Sequence, residues 1–214
     1  MDSRATAIIA VPHQACGHTG SMLLHNVNRT MAQCAEADLD VLVVAPQAAL
    51  SAWHEWCQSS CANVVSLPPS ADRQLLAAAL RAGVQMSPKS CGWFLIPADI
   101  LVYKTSTLRQ LHEALRHHLI VHATVEQQPR LPVGFDRELF SELIHLDSDH
   151  ALHRLMNRYP THAIEVDDPG VRMHPWLTTR PEPARGTATV PLRRALHSGQ
   201  LASSPAAFAV KIRG

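Results

Sequence analysis

The chain has 214 residues, 46% hydrophobic and 17% charged, and carries a net charge of +1 with its 14 histidines neutral. Its apolar stretches are too short for the ~20 residues that span a bilayer, and without a dense basic face nucleic acid is excluded as a main partner. Five scattered cysteines suit a reducing compartment, and "MDSRATAIIAVPHQ" lacks a signal-peptide pattern, so a cytoplasmic location is expected.

Apolar runs alternate with amphipathic ones. Strand-like runs are "TAIIAV" (6–11), "DVLVVAP" (40–46), "NVVSL" (63–67), "WFLIPA" (93–98), "LIVHATV" (119–125) and "HAIEV" (162–166). Helix-like segments fall near 21–37, 47–60, 71–86, 105–117, 136–145 and 148–158. Continuous Val, Ile and Leu runs mark strands buried on both faces, as parallel strands are. Their alternation with helices gives βαβ units. The predicted fold is α/β: a three-layer α/β/α, Rossmann-like open sheet, mostly parallel, spanning residues 1–178. Residues 179–214, rich in Pro, Ala, Gly and Arg, read as a C-terminal extension with at most one short helix in "VPLRRALHSGQL".

In such a sheet ligands sit beyond the carboxyl ends of the strands, near a topological switch point. Three loops qualify: the one after the first strand, "IPADI" after the fourth, and "VDDPGVRMHPW" after the last. Asp99 follows a buried run directly, which is where a Mg²⁺ or ribose ligand belongs, although a helix N-cap is the plainer use of such an Asp. "DDPG" (167–170) is a turn signal whatever else its carboxylates do.

The first loop also offers His13, Cys16 and His18 as H-x-x-C-x-H, within reach of Asp99 or His174 as a tetrahedral transition-metal set. Cys57 and Cys61 are spaced to share a helix face, and His117 and His118 to meet a helix C-terminal dipole ahead of His122. Trp53 and Trp56 are expected to pack on the sheet. No G-x-S-x-G and no G-x-x-x-x-G-K-[ST] occurs, which removes a nucleophile elbow and a P-loop. "CGW" (91–93) precedes a strand rather than following one, so a dinucleotide fingerprint is absent too.

"HATVEQQPRLPVGFDRELFSELIHL", "DDPGV", "GWFLIPADI" and "LLAAALRAG" together resemble the MobA-like NTP transferases, especially the molybdenum-cofactor cytidylyltransferase branch. The resemblance runs from about residue 5 to 178. It implies a nucleotide-diphospho-sugar transferase-like fold. It also implies transfer of a nucleoside monophosphate from CTP or GTP to a pterin-type acceptor, with Mg²⁺ as the metal. By resemblance, Ala10, Val11, His13, Gly17, His18, Gly20 and Ser21 form the nucleotide loop, Asp99 and His174 hold the metal, and Arg130 meets acceptor phosphate. "IAVPHQACGHTGSMLL" departs from the family's loop: its Gly, Arg and Lys positions fall on Pro12, Cys16 and Ser21. Pro12 removes an N–H donor, and no cation is left to meet the phosphates. The family's second acidic metal position falls on His174; an imidazole beside one carboxylate suits a transition metal better than Mg²⁺.

Two functions follow from these residues. One is a divergent nucleotidyltransferase. The other is an inactive binding or accessory protein, serving cofactor maturation or partner recognition, that kept the fold and lost the chemistry.

Overall fold

The structure, a computed structural model, describes residues 4–12, 18–68, 75–99 and 103–172. The expected extension at 179–214 lies outside them. Seven strands form one sheet: β1 (Thr6–Ala10), β2 (Asp40–Pro46), β3 (Asn63–Leu67), β4 (Gly92–Pro97), β5 (Ile120–Val125), β6 (Gln128–Asp136) and β7 (Thr161–Glu165). Their spatial order is β3-β2-β1-β4-β6-β5-β7. All adjacent pairs are parallel except those made by β6, which runs antiparallel to β4 and to β5. The expected α/β, mostly parallel, three-layer architecture is what forms.

Both faces of the sheet are covered, which is why β1 and β4 are apolar at every position. On one face, α4 (Leu75–Met86), α6 (Phe140–Leu143) and α7 (Asp149–Arg158) close a core around Ile8, Leu95, Val133 and Phe135. On the other lie α1 (His18–Glu36), α2 (Gln47–Ala52), α3 (His54–Ser59), α5 (Thr105–Leu115) and α8 (Pro169–Arg172). These enclose two clusters, one around Phe94, Ile96, Tyr103 and Leu108 and one around Ile9, Val43 and Trp53. Each fully buried Leu, Ile or Phe contributes about 1.5–3 kcal/mol by leaving water. Gly83 lets α4 approach β1 closely, since a Cβ there would stand 2.5 Å from Ile8 Cδ1.

Two readings of the sequence need correction. Strand β6 was not anticipated, because its segment "QPRLPVGFD" contains two prolines, which ordinarily argue against a central strand. The sheet accommodates Pro132 at an irregularity: His122 pairs with Val133 and Ala123 with Arg130, leaving Leu131 and Pro132 unopposed on β6. The helix expected over 47–60 breaks at Trp53, whose N–H closes α2 while α3 starts at His54. Because α3 ends at Ser59, Cys57 and Cys61 do not share a helix. Trp53 does pack under the sheet, and partly buried Trp56 donates its indole N–H to Asn28 Oδ1 at 2.8 Å.

Candidate functional site

Strands β1 and β4 are neighbours from which the order runs outward to β2 and β3 on one side and to β6, β5 and β7 on the other. The switch point therefore lies between their carboxyl ends. There the Ala98 N–H donates to the Ala10 carbonyl at 2.9 Å, and the Val11 N–H to the Val44 carbonyl at 2.9 Å. Asp99 comes one residue later and is solvent-exposed. Its carboxylate stands at the strand end where the sequence places a metal or ribose ligand.

Ala10 and Val11 have their side chains in the core, so only their backbone can face a ligand. Ser21 is exposed in the first turns of α1. His18 and Gly20 fall in the opening turn of α1. His13, Cys16, Gly17 and His174 lie outside the described residues, and with them the H-x-x-C-x-H set and the Asp99–His174 pair. Among the described residues, no group of three or more His, Cys, Asp or Glu side chains could hold a metal ion. A hard cation bound through one or two carboxylates and substrate phosphates asks for less, and Asp99 fits that role.

The other half of the edge is built by β6, β5 and β7. Buried Asp168 accepts from Lys104 N (2.7 Å), Thr107 Oγ1 (2.7 Å) and Gly170 N (2.9 Å). It ties the start of α5 to α8, so "DDPG" forms not an open turn but a capped helical turn. Asp167 is exposed, and its carbonyl accepts from Lys104 Nζ. Glu165 grips the β5–β6 hairpin, accepting from Thr124 Oγ1 (2.7 Å), Glu126 N (2.7 Å) and Gln127 N (3.3 Å). The Thr124 hydrogen bond foremost, with help from the two amides, holds its carboxyl below the ordinary value of 4.5. Arg172 Nη1 pairs with Glu126 Oε1 at 3.3 Å.

Among the described residues of this half, three side chains have buried polar atoms without a partner: Tyr103, Arg130 and, in β5, His122 through Nδ1. Tyr103 is fully buried with an unpaired hydroxyl, and burial, then the charges of Asp99 and Asp168, push its pKa up. Arg130, the predicted acceptor contact, has two guanidinium nitrogens, Nε and Nη1, out of water and without an acceptor. Sequence reasoning missed Asp168 and Lys104. The acidic pair in "DDPG" was visible, but nothing local showed which carboxylate turns inward.

The histidines expected near a helix end separate. The His117 N–H closes the last turn of α5 on Ala114 O, the His118 ring stacks on His162 with centroids 4.0 Å apart, and His122 is buried in β5. Two of the cavities among the described residues do not reach the Asp99 site. One of about 740 Å³, at the amino edge, is lined by Arg4, Asp38, Cys91, Arg116 and Arg137; one of about 810 Å³ lies beside α2 and α3. Neither includes Asp99 or Arg130.

The model of the MobA-like NTP transferase domain matches residues 16–164, and the chain belongs to that family. No curated protein matches it. Among solved structures, Rv0371c from Mycobacterium tuberculosis H37Rv is 21% identical with a TM-score of 0.66, over 77% of this chain and 89% of that one. A second structure of that protein, in complex with manganese, gives 0.61 at the same identity and coverage. Molybdopterin-guanine dinucleotide biosynthesis protein A from Archaeoglobus fulgidus gives 0.53 at 12% identity, over 77% and 84%. At these identities the solved structures speak for the fold. No helix among the described residues is long and apolar enough to cross a membrane.

Proposed function

We propose that the protein is a nucleotidyltransferase that moves a nucleoside monophosphate from CTP or GTP to an anionic, pterin-type acceptor. The observation that carries this is the placement of Asp99 two residues past the last β1–β4 pair, at the switch point of a MobA-like fold. In this reading an acceptor oxygen attacks the α-phosphorus, the α–β phosphoanhydride bond breaks, and pyrophosphate leaves. Asp99 would hold a divalent cation, which would supply positive charge to offset that of the phosphates. The further ligand that the sequence predicts for this reading is His174. Manganese in the complex of Rv0371c supports a divalent ion of this kind. The backbone at Ala10 and Val11, the loop through His13, Gly17 and His18, and Gly20 and Ser21 receive the triphosphate. Arg130 meets the acceptor. A catalytic domain over 1–178, a separate extension and a cytoplasmic location belong to the same reading.

A second reading is favoured by one observation: no Lys or Arg occurs between Ala10 and Asn28. Without such clamps phosphoryl-type transfer loses much of its electrostatic stabilisation. The chain is then a binding or accessory protein in cofactor maturation. Calorimetric titration with CTP, GTP and ATP, with and without Mg²⁺ or Mn²⁺, tests both on wild type and Asp99→Ala. Metal-dependent binding lost in the variant supports a working nucleotide site, and pyrophosphate release then separates enzyme from binder. No binding at millimolar nucleotide would defeat the transferase reading.

A further inference from the structure

The cavity of about 740 Å³ at the amino edge has no place in the transferase reading. Arg4, Arg116 and Arg137 line it together with Asp38, Asp136 and Cys91. Its size is that of a small-molecule site. Backbone hydrogen bonds knit three of these segments together: the Cys91 N–H donates to Arg4 O at 3.2 Å, and the Arg137 N–H to Cys91 O at 3.3 Å. Ser90 Oγ also donates to Arg4 O, at 3.0 Å. The charged side chains therefore start from a fixed backbone.

Positive charge is in excess here. Arg4 Nη2 pairs with Asp38 Oδ1 at 3.0 Å. Asp136 Oδ1 accepts from the Glu138 N–H at 2.9 Å and so caps the helical turn Arg137–Leu139. Arg116 reaches Glu113 on its own helix at 3.5 Å, with both side chains exposed, a pair that contributes little. Arg137 pairs with no carboxylate among the described residues. It also opens a helical turn, where a cation gains nothing from the backbone dipole. The carbonyls at the end of α1 do not call for these arginines, because α5 already meets them. Arg109 donates to Glu36 O at 3.2 and 2.7 Å, and His112 Nδ1 meets Ala37 O at 3.3 Å. Burial foremost raises the pKa of the Cys91 thiol; Asp136 adds to the rise, and Arg116 and Arg137 oppose it. Both cations thus act on one thiol within one cavity.

We infer that this cavity binds a small organic anion, a phosphate monoester or a carboxylate, through the guanidinium groups of Arg137 and Arg116. A guanidinium fork matches the paired oxygens of either group. Arg137 takes the anion without giving up a carboxylate, and Arg116 exchanges a weak partner for a stronger one. Arg4 stays with Asp38. Leu115 lines the same cavity and offers the carbon frame of the ligand an apolar contact. The site is separate from the Asp99 end of the sheet. Strand β4 begins directly after Cys91, and its six residues carry the chain about 20 Å before Ala98 and Asp99 follow. The anion is therefore neither the nucleotide nor the acceptor of the proposed transfer, and the inference stands without that reading.

The test is alkylation of the full chain by iodoacetamide, read by mass spectrometry at the half-buried Cys91 and at the exposed Cys61. Phenyl phosphate and phthalate are the added anions. Either should slow alkylation of Cys91 in a saturable way and leave Cys61 unchanged, and the one that saturates at lower concentration names the anionic group. The half-saturating concentration should rise about fivefold in Arg137→Gln and in Arg116→Gln, the loss of one charge-assisted contact. Both arginines are exposed, so the variants should melt with wild type. Negatively charged iodoacetate should also gain on neutral iodoacetamide at Cys91 more in wild type than in Arg137→Gln, which reads the charge of the cavity directly. In Asp99→Ala the anion should protect Cys91 as it does in wild type. Three results each overturn the inference: no protection by either anion at millimolar concentration, equal half-saturation in wild type and both Gln variants, or loss of protection in Asp99→Ala. The last would assign the anion to the metal end of the sheet. Failure of CTP to bind defeats the transferase reading alone and leaves the protection of Cys91 unchanged.

Discussion

Thr107 Oγ1 donates to Asp168 Oδ2 at 2.7 Å, joining two buried residues 61 positions apart. With the bonds from Lys104 N and Gly170 N, this makes Asp168 the tie between α8 and the start of α5. Asp168→Ala strands three donors and should cost about 3 kcal/mol in urea unfolding. Asp168→Asn keeps an acceptor oxygen and should cost about 1 kcal/mol. A loss below about 1 kcal/mol for the Ala variant would mean that water enters and replaces the carboxylate.

Gly134 sits where β6 passes over Phe94. A Cβ built there would lie 2.4 Å from Phe94 Cε1 and 2.8 Å from Val121 Cγ2. Both neighbours are buried and cannot swing into solvent. Gly134→Ala should therefore destabilise by about 1–3 kcal/mol through overpacking, and Gly134→Ala with Phe94→Leu should recover part of it. If the single variant is as stable as wild type, β6 moves away from β4 more easily than its ladder implies.

The parallel half of the sheet was plain in the sequence because its strands are unbroken apolar runs, of which "TAIIA" and "GWFLIP" are buried end to end. Strand β6 was not, since Pro129 and Pro132 carry the usual signal for a loop, and only pairing with β4 and β5 makes the segment extended. The hairpin before it was hidden for a related reason. Glu126 and Gln127 take φ of 54° and 61°, a conformation usually signalled by Asn-Gly, and here Glu165, 39 residues away from Glu126, holds their amides. The exposed place of Asp99 just past β4 was legible from the buried run before it. The use of Asp168 inward and of Lys104 as an edge cation was not, because both depend on α8 meeting α5. That is a contact between distant parts of the chain with no local pattern.

The Glu165 carboxylate gives the hairpin an acid-sensitive clasp. Its pKa is lowered in the fold, chiefly by the Thr124 hydroxyl, so the unfolded chain binds more protons between the lowered value and 4.5. The stability it contributes is complete above about pH 4.5 and is lost as pH falls through the folded value. Glu165→Gln should lower stability at pH 7 and flatten its decline between neutral pH and pH 3. Replacing Glu126-Gln127 by Asn-Gly should restore stability at neutral pH, because those residues take the left-handed turn without strain. A Glu165→Gln protein with the wild-type acid profile would place the acid sensitivity elsewhere.

The His118–His162 stack works at higher pH. Loss of hydration, then the charges of His162 and His117, hold the His118 imidazole below its ordinary 6.5; burial, then His162, does the same for His122. Two parallel rings 4.0 Å apart pack well when neutral and repel when protonated. The unfolded chain therefore binds more protons between the lowered values and 6.5. The contribution of the cluster is complete above about pH 6.5 and shrinks as pH falls through the folded values. His162 lies on the edge strand β7, whose last residue clasps the hairpin, so the loss should appear first as faster amide exchange along β7 and at Glu126 and Gln127. His162→Phe keeps a ring and removes a charge. It should narrow the stability difference between pH 7.5 and pH 5 and, in an NMR titration, move His118 and His122 back toward 6.5. Unchanged titration of both histidines in that variant would mean that hydration alone, not the facing ring, sets their proton affinity.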